Sequence, residues 1–64
     1  MPWNRNTLKK LRERRDWTQD ELAHRVEAHR ITIAKLETGA REPSIDMLER
    51  LAKALRVKVT DLLR

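Results

Sequence analysis

The stretch that decides the fold is WTQDELAHRVEAHRITIAKLETG, residues 17–39. Its apolar residues recur at helical spacing in two short runs. The first run opens with TQDE at 18–21, a capping box in which the threonine hydroxyl meets an unpaired backbone N–H and the glutamate reaches back. Trp17 and Leu22 form the matching hydrophobic staple. Two helices joined by a tight turn, a helix-turn-helix unit over about 18–38, are therefore predicted.

The second helix of this pair is predicted to begin near Arg30 and to end before Gly39, which supplies a left-handed C-cap. At about 100° per residue its side chains divide into two faces. The inward face carries Ile33, Leu36 and Glu37. The outward face carries Ile31, Ala34, Lys35 and Thr38. A plain surface helix mixes glutamate with lysine, so this outward face indicates a contact role.

One helix is predicted before this unit and two after it. The first spans about 5–15, has Asn4 or Asn6 as its N-cap and buries Leu8 and Leu11. No segment alternates for long enough to form a sheet. The sequence therefore predicts an all-α protein.

The two later helices complete the predicted bundle. The fourth follows Pro43, is capped by Ser44 and has an apolar stripe of Ile45, Leu48, Leu51, Ala52 and Leu55. The fifth spans about 59–64. Short connections between five helices predict a compact five-helix bundle, one domain over 1–64.

Length and composition exclude several classes of protein. The 64 residues include no cysteine, so neither a disulfide nor a thiolate metal site is expected. No apolar run approaches the ~18 residues of a membrane span. The first charged residue, Arg5, comes soon after Met1, Pro2 and Trp3, and no apolar run follows, so no signal peptide is predicted. A cytoplasmic protein without a membrane partner is expected.

The charge is positive and unevenly placed. The net charge is +5, and residues 1–16 carry six basic and two acidic side chains. This bias favours a polyanionic partner. Within the first helix, Arg5 and Lys10 are the better candidates for phosphate contact, and a solvated basic face is the alternative. Tyr and Phe are absent, so a stacking platform for single-stranded bases is not expected.

The sequence does not favour an enzyme or a cofactor-binding protein. The sequence has no glycine-rich phosphate loop and no grouping of serine, histidine and acid with a plausible pocket. Glu21 and His24 have the spacing of a carboxylate metal site, but such a site needs a second copy, which is missing. A chain this small also lacks room for a typical small-molecule pocket. We predict no enzymatic activity, metal, cofactor or small-molecule ligand.

The outward face of the third helix is chemically suited to the major groove of double-stranded DNA. Arg30 can form a forked contact with guanine, Lys35 can reach a guanine acceptor, and Ile31 can meet a thymine methyl group. The alternatives are an ordinary solvated helix or a protein-interaction module, antitoxin-like or a scaffold. In such a module Ile31 and the acidic second helix would form the contact surface.

From about 8 to 63 the sequence resembles the Cro and phage-repressor type of helix-turn-helix domain, also called the xenobiotic-response-element family. The matching segments are LR at 11–12, WTQ at 17–19, ELA at 21–23, TI at 32–33, KLE at 35–37, Gly39, PS at 43–44, LAKAL at 51–55 and DLL at 61–63. The resemblance implies the lambda-repressor-like fold, with the third helix as recognition helix. It also implies a bacterial or phage-type transcriptional regulator at the nucleoid, by default a repressor, that binds near-palindromic operators as a homodimer.

The resemblance further implies roles for single residues. Base contacts fall to Arg30, Ile31, Thr32 and Lys35. Contacts to the DNA backbone fall to Thr18, Gln19, Thr38 and Arg41. His29 is either a phosphate donor when protonated or an exposed turn histidine. The resemblance also pairs Arg12 with Glu37, and the inward position of Glu37 agrees, because an unpaired buried carboxylate is costly.

The sequence departs from the family at the helix ends. Glu27 occupies the turn where glycine is frequent, and His29 replaces a serine or threonine cap. Arg56 replaces the glycine after the fourth helix, and Lys58 occupies the next cap position. A non-glycine residue with positive φ costs on the order of 1 kcal/mol. Either these turns relax or the protein tolerates the strain.

The sequence does not decide the role of the apolar residues near the two ends of the chain. Trp3 either covers the open end of the core or belongs to a disordered tail. Leu62 and Leu63 lie about 100° apart on a helix, so one of them is free to meet a second copy. With Val59 they form the candidate dimer interface, and a two-fold dimer would set the recognition helices ~34 Å apart.

Overall fold

The computed structural model describes residues 3–64 and is all-helical. Its elements are α1 (Arg5–Arg14), α2 (Gln19–Arg25), α3 (Arg30–Thr38), α4 (Ile45–Leu55) and a C-terminal 3-10 helix (Val59–Leu63). No strand occurs within this described range. Met1 and Pro2, with which the predicted domain begins, lie outside it. The prediction of an all-α protein is confirmed.

The fifth predicted helix is a 3-10 helix and not an α-helix. The segment has only five helical residues and opens with β-branched side chains at Val59 and Thr60, which lose rotamer freedom in an α-helix. A 3-10 turn closes with i to i+3 hydrogen bonds and so suits a short piece. The Lys58 N–H donates to the Asp61 carboxylate at 3.0 Å and fixes its start.

Side-chain caps start three of the four α-helices. The Asn4 carboxamide oxygen accepts from the backbone N–H groups of Asn6 and Thr7 in α1, at 3.1 and 3.2 Å. Thr18 and Glu21 form the predicted capping box, with both hydrogen bonds at 3.1 Å. The Ser44 hydroxyl accepts from the backbone N–H of Met47 at 3.1 Å. These caps satisfy donors that the first helical turn leaves without an intrahelical partner.

Three helices end on a non-glycine residue in the left-handed region. Asp16, Glu27 and Arg56 follow α1, α2 and α4 with φ of 57°, 55° and 55°. At the end of α2, the Ala28 N–H reaches back to the Ala23 carbonyl at 2.9 Å, which is a Schellman motif. The turn at Glu27 therefore does not relax but keeps the geometry that glycine usually adopts.

The core lies where all five elements meet. Its fully buried side chains are Leu8, Leu22, Val26, Ile33, Leu36, Leu51, Leu55 and Leu62. Trp3, Leu11 and Trp17 pack against this core and are partly buried. Trp3 therefore covers the open end of the core, one of the two roles left open by the sequence.

Two sequence expectations about apolar residues are wrong. Ile45, the first residue of α4 and of its apolar stripe, is 73% exposed, although it lines a surface pocket together with Leu63. Leu62 is fully buried, so it cannot contact a second copy of this fold. The 3-10 helix directs Leu62 into the core and leaves Leu63 and Val59 half-buried.

None of the helices within residues 3–64 combines the length and the apolar character that crossing a bilayer requires.

Candidate nucleic-acid interface

The outward face of α3 carries the side chains predicted to contact bases. Ile33, Leu36 and Glu37 point inward and are at most 8% exposed. On the other side, Arg30, Ile31 and Lys35 are exposed, and Thr32 is half-buried at the flank. Ile31 is 59% exposed, although no packing role explains a large aliphatic side chain there. The helix thus presents two cations, an aliphatic group and a hydroxyl on one surface.

The turn between α2 and α3 provides no side-chain cap for the start of α3. His29 is the N-cap in extended conformation, and its imidazole makes no cap hydrogen bond. Its carbonyl accepts from the N–H groups of Thr32 and Ile33 at 3.0 and 3.2 Å. His29 and Arg30 are both exposed at this end. The imidazole is therefore exposed and makes no cap hydrogen bond to α3.

A buried polar network fixes α3 against α1 and the start of α2. Arg12 donates from Nε to Glu37 Oε2 at 2.7 Å and from its terminal nitrogen to Oε1 at 3.0 Å. The two side chains are 11% and 3% exposed. Arg12 also donates to the carbonyl of Trp17 at 2.7 Å. The pKa of Arg12 is raised, first by its hydrogen bond to Glu37.

Gln19 joins the same network. Its side-chain N–H donates to Glu37 Oε1 at 3.1 Å, so the first residue of α2 contacts the inner side of α3. The family resemblance implied that Gln19 contacts a phosphate. One amide hydrogen is occupied in this structure, and the second remains for another acceptor. The neighbouring Thr18 hydroxyl oxygen accepts from the Glu21 N–H, which makes Thr18 part of the helix cap.

The C-terminal end of α3 leads into an exposed loop. Thr38 donates from its hydroxyl to the Lys35 carbonyl at 3.2 Å, and the Arg41 N–H donates to the same carbonyl at 3.3 Å. Gly39 has φ of 82° and ends the helix as predicted. Lys35, Thr38 and Arg41 are all exposed, and these two hydrogen bonds keep Thr38 and Arg41 close to the Lys35 backbone.

Two residues at this end were missed as contacts of α3. Trp3 donates from its indole N–H to the Leu36 carbonyl at 2.9 Å, and Arg5 donates to the Thr38 carbonyl at 2.5 Å. The sequence assigned Arg5 to a phosphate. A basic residue near a helix C-terminus is a known favourable pairing, but the partners here lie 33 residues apart in sequence. The local sequence pattern therefore could not predict these two contacts.

Further cations lie beside the start of α2. The guanidinium groups of Arg25 and Arg15 lie 4.1 and 5.5 Å from the centre of the Trp17 ring. Both are cation–π distances, and both arginines are exposed. The stacking holds two positive charges next to the helix-turn-helix unit.

Known proteins resemble this chain in sequence and in structure. Residues 8–62 match the model of the Helix-turn-helix family HTH_3. A relative from Archaeoglobus fulgidus, described as an uncharacterized HTH-type transcriptional regulator, is 36% identical over 58 residues, which cover 91% of this chain and 82% of the relative.

Two solved structures have closely similar folds. The restriction-modification controller protein C.AhdI from Aeromonas hydrophila has a TM-score of 0.87 at 28% identity, over 91% of this chain and 88% of that one. The P22 c2 repressor protein, in complex with synthetic operator 9T, has a TM-score of 0.90 at 25% identity, over 94% and 91%. The resemblance to the Cro and phage-repressor type is thereby confirmed.

Proposed function

The chain belongs to the HTH_3 helix-turn-helix family, and from this premise we propose that it is a sequence-specific double-stranded DNA-binding regulator of transcription, acting as a repressor. The observation that carries the proposal is the exposed face of α3, with Ile31 59% exposed on a helix whose inner side is held by a buried ion pair. A rigid helix with such a face fits the major groove.

In this proposal α3 reads base edges. Arg30 and Lys35 present donors that suit the guanine acceptors, Thr32 contacts an edge from the flank, and Ile31 meets a thymine methyl group. The exposure of Arg30, Ile31 and Lys35 supports these roles, because none of the three is needed for the core.

Other side chains would contact the phosphates on either side of the groove. Thr38 and Arg41 follow the C-terminal end of α3, and His29 precedes its start. Thr18 and Gln19 stand at the start of α2, where the bond from Gln19 to Glu37 keeps them next to α3. Such contacts fix the orientation of the protein on the duplex and leave sequence selection to α3.

The operator would be near-palindromic and bound by a homodimer. A two-fold dimer on such an operator would set its two recognition helices about one turn of DNA apart, ~34 Å. With Leu62 excluded by burial, Val59 and Leu63 remain at the interface, and the exposed Ile45 extends it. In a cell the protein would act in the cytoplasm, at the nucleoid.

Selection from a random duplex library tests DNA readout directly. We expect a short inverted repeat to be enriched. Its affinity should fall by roughly 10³–10⁵ between 50 and 200 mM salt if six to ten phosphates are contacted. A protein-interaction module would enrich no sequence, and binding to a protein partner through apolar contacts would survive added salt.

Variants of α3 then test the assignment of base contacts. Arg30→Ala and Lys35→Ala should each cost about 1–3 kcal/mol on the selected duplex and should relax selectivity at one position. Lys53→Ala is the matched control, because Lys53 is an exposed cation on α4, outside the proposed surface. Equal effects of all three variants would contradict the assignment.

Sedimentation tests the dimer. Leu63→Glu should shift the protein towards the monomer, because it places a charge in the proposed apolar interface. An unchanged oligomeric state in this variant would move the interface elsewhere.

A further inference from the structure

The segment at 3–7 holds the C-terminal turn of α3, although it lies before the part of the chain that matches the family model, residues 8–62. Trp3 donates to the Leu36 carbonyl at 2.9 Å, and Arg5 donates to the Thr38 carbonyl at 2.5 Å. Both acceptors lie among the last four carbonyls of α3, which have no partner within the helix. Two side chains from the start of the chain thus satisfy the end of the proposed recognition helix.

The contact at Arg5 is close enough to constrain the residue after the helix. A Cβ atom at Gly39 would lie 2.9 Å from a terminal nitrogen of Arg5 and 3.0 Å from its Cδ. A larger residue here would require the flexible Arg5 side chain to shift, and the positive φ of Gly39 independently favours glycine. The Arg5 side chain lies directly against the start of the loop that leads to Arg41.

The same segment is anchored at a second place. The Asn4 N–H donates to the Leu62 carbonyl at 3.4 Å, and the Thr7 hydroxyl donates to the Arg64 carbonyl at 2.9 Å. Leu8, one residue further, is fully buried. Trp3 and Arg5 consequently extend from a support that is fixed to the C-terminal 3-10 helix and to the core.

We propose that Trp3 and Arg5 are positioning residues for DNA readout. By donating to the Leu36 and Thr38 carbonyls they set the orientation of the last turn of α3 and of the following loop. Lys35, Thr38 and Arg41 reach DNA from this turn. The inference rests on the proposed DNA readout by α3. It means that two residues outside the family match influence which DNA sequence α3 selects.

Direct phosphate contact by Arg5 is the competing account, and it predicts different measurements. A residue that contacts phosphate weakens binding to all sequences alike and lowers the salt slope by about one. A positioning residue weakens the specific complex and leaves binding to unrelated DNA and the salt slope unchanged. Trp3→Phe is informative because it removes the indole donor without changing the charge.

The DNA experiment compares Trp3→Phe, Arg5→Gln and the control Lys9→Gln, which removes one exposed positive charge from α1. Each variant is titrated with the selected operator and with a scrambled duplex at several salt concentrations. We expect Trp3→Phe and Arg5→Gln to lose about 3- to 10-fold in operator affinity relative to Lys9→Gln, the worth of one hydrogen bond. Affinity for the scrambled duplex should match that of wild type in Trp3→Phe and that of Lys9→Gln in Arg5→Gln, because the paired proteins carry equal charge. Equal losses on both duplexes, or none, would overturn the proposal.

A measurement without DNA separates this proposal from the proposed function. Amide hydrogen exchange followed by NMR should be faster at Arg41, whose N–H bonds to the Lys35 carbonyl, in Trp3→Phe and Arg5→Gln but not in Lys9→Gln. Exchange in the core at Leu51 should stay unchanged, which shows that the variants fold. If Arg41 exchanges at the wild-type rate in both variants, Trp3 and Arg5 do not stabilise the end of α3, whether or not the protein binds an operator. Faster exchange with unchanged operator affinity would refute its role in readout.

Discussion

Replacing Arg12 by methionine would leave the Glu37 carboxylate in the core without its guanidinium. The substitution keeps most of the side-chain volume and removes both hydrogen bonds to Glu37, at 2.7 and 3.0 Å. Gln19 would remain as a donor at 3.1 Å. Because the Glu37 side chain is only 3% exposed, water cannot replace the lost donors without opening the packing around α3.

The expected loss is large compared with the stability of a chain of this size. Removing one partner of a buried ion pair costs about 3–5 kcal/mol. Arg12 keeps 11% of its side chain exposed, so we expect about 3 kcal/mol, the lower end of that range. At 0.05–0.15 kcal/mol per residue, 64 residues have a free energy of unfolding of roughly 3–10 kcal/mol. The Arg12→Met variant should therefore be marginally folded.

Urea unfolding followed by far-ultraviolet circular dichroism measures this loss without relying on the fluorescence of the nearby Trp17. Arg14→Met is the matched control, because Arg14 is an exposed arginine on the same helix. It should change the free energy of unfolding by less than about 0.5 kcal/mol. The double variant Arg12→Met with Glu37→Met should recover about 2 kcal/mol or more, because well-packed apolar residues often replace a buried pair without loss.

Two results would refute this reasoning. If Arg12→Met costs no more than Arg14→Met, water solvates the pair and its burial carries no energetic consequence. If the double variant is as unstable as Arg12→Met, the loss comes from the Trp17 carbonyl, which loses its donor in both variants, and not from the stranded carboxylate.

Three further predictions concern the folded state. Glu27→Gly and Arg56→Gly should each raise the free energy of unfolding by about 1 kcal/mol, because glycine has no penalty at positive φ. Each should raise Tm by about 4–8 °C. A lower Tm in both variants would show that the native side chains contribute more stability than the strain costs. Leu62→Ala should cost about 2–5 kcal/mol and Leu63→Ala about 1 kcal/mol or less, because only Leu62 is fully buried; similar urea midpoints would contradict the 3-10 geometry. The raised pKa of Arg12, due first to its hydrogen bond with Glu37, means that folding favours the protonated form, so its contribution is complete below the alkaline pKa of the unfolded arginine and declines only above it. The difference in stability between wild type and Arg12→Met should hence stay constant from neutral to about pH 10, and a decline within that range would contradict the assignment.

Local signals in the sequence were sufficient for the starts and ends of helices. Thr18, Ser44 and Gly39 each act within one turn of the chain, and each has the predicted role. A cap depends on backbone groups two or three residues away, so its geometry follows from the sequence alone. For the same reason the extent of α3 and its two faces could be predicted.

Features that depend on distant neighbours could not be predicted in this way. The apolar stripe of α4 includes Ile45, but whether another element covers its first turn depends on tertiary packing. Leu62 and Leu63 are equivalent in sequence, and the 3-10 turn decides which one is buried. Arg5 belongs to a basic first helix, and charge alone does not distinguish a phosphate from the carbonyl of Thr38 as its acceptor.

The left-handed helix ends have a consequence for how this molecule can evolve. Asp16, Glu27 and Arg56 hold a conformation that glycine adopts without penalty, although aspartate tolerates it better than the other two. A single substitution to glycine at Glu27 or at Arg56 is therefore expected to stabilise the fold, and both positions lie outside α3. A lineage that acquired them would gain tolerance for destabilising substitutions on the outward face of α3. If α3 reads bases as proposed, new base preferences could then accumulate there without loss of folding, so the helix ends bear on the evolvability of DNA specificity.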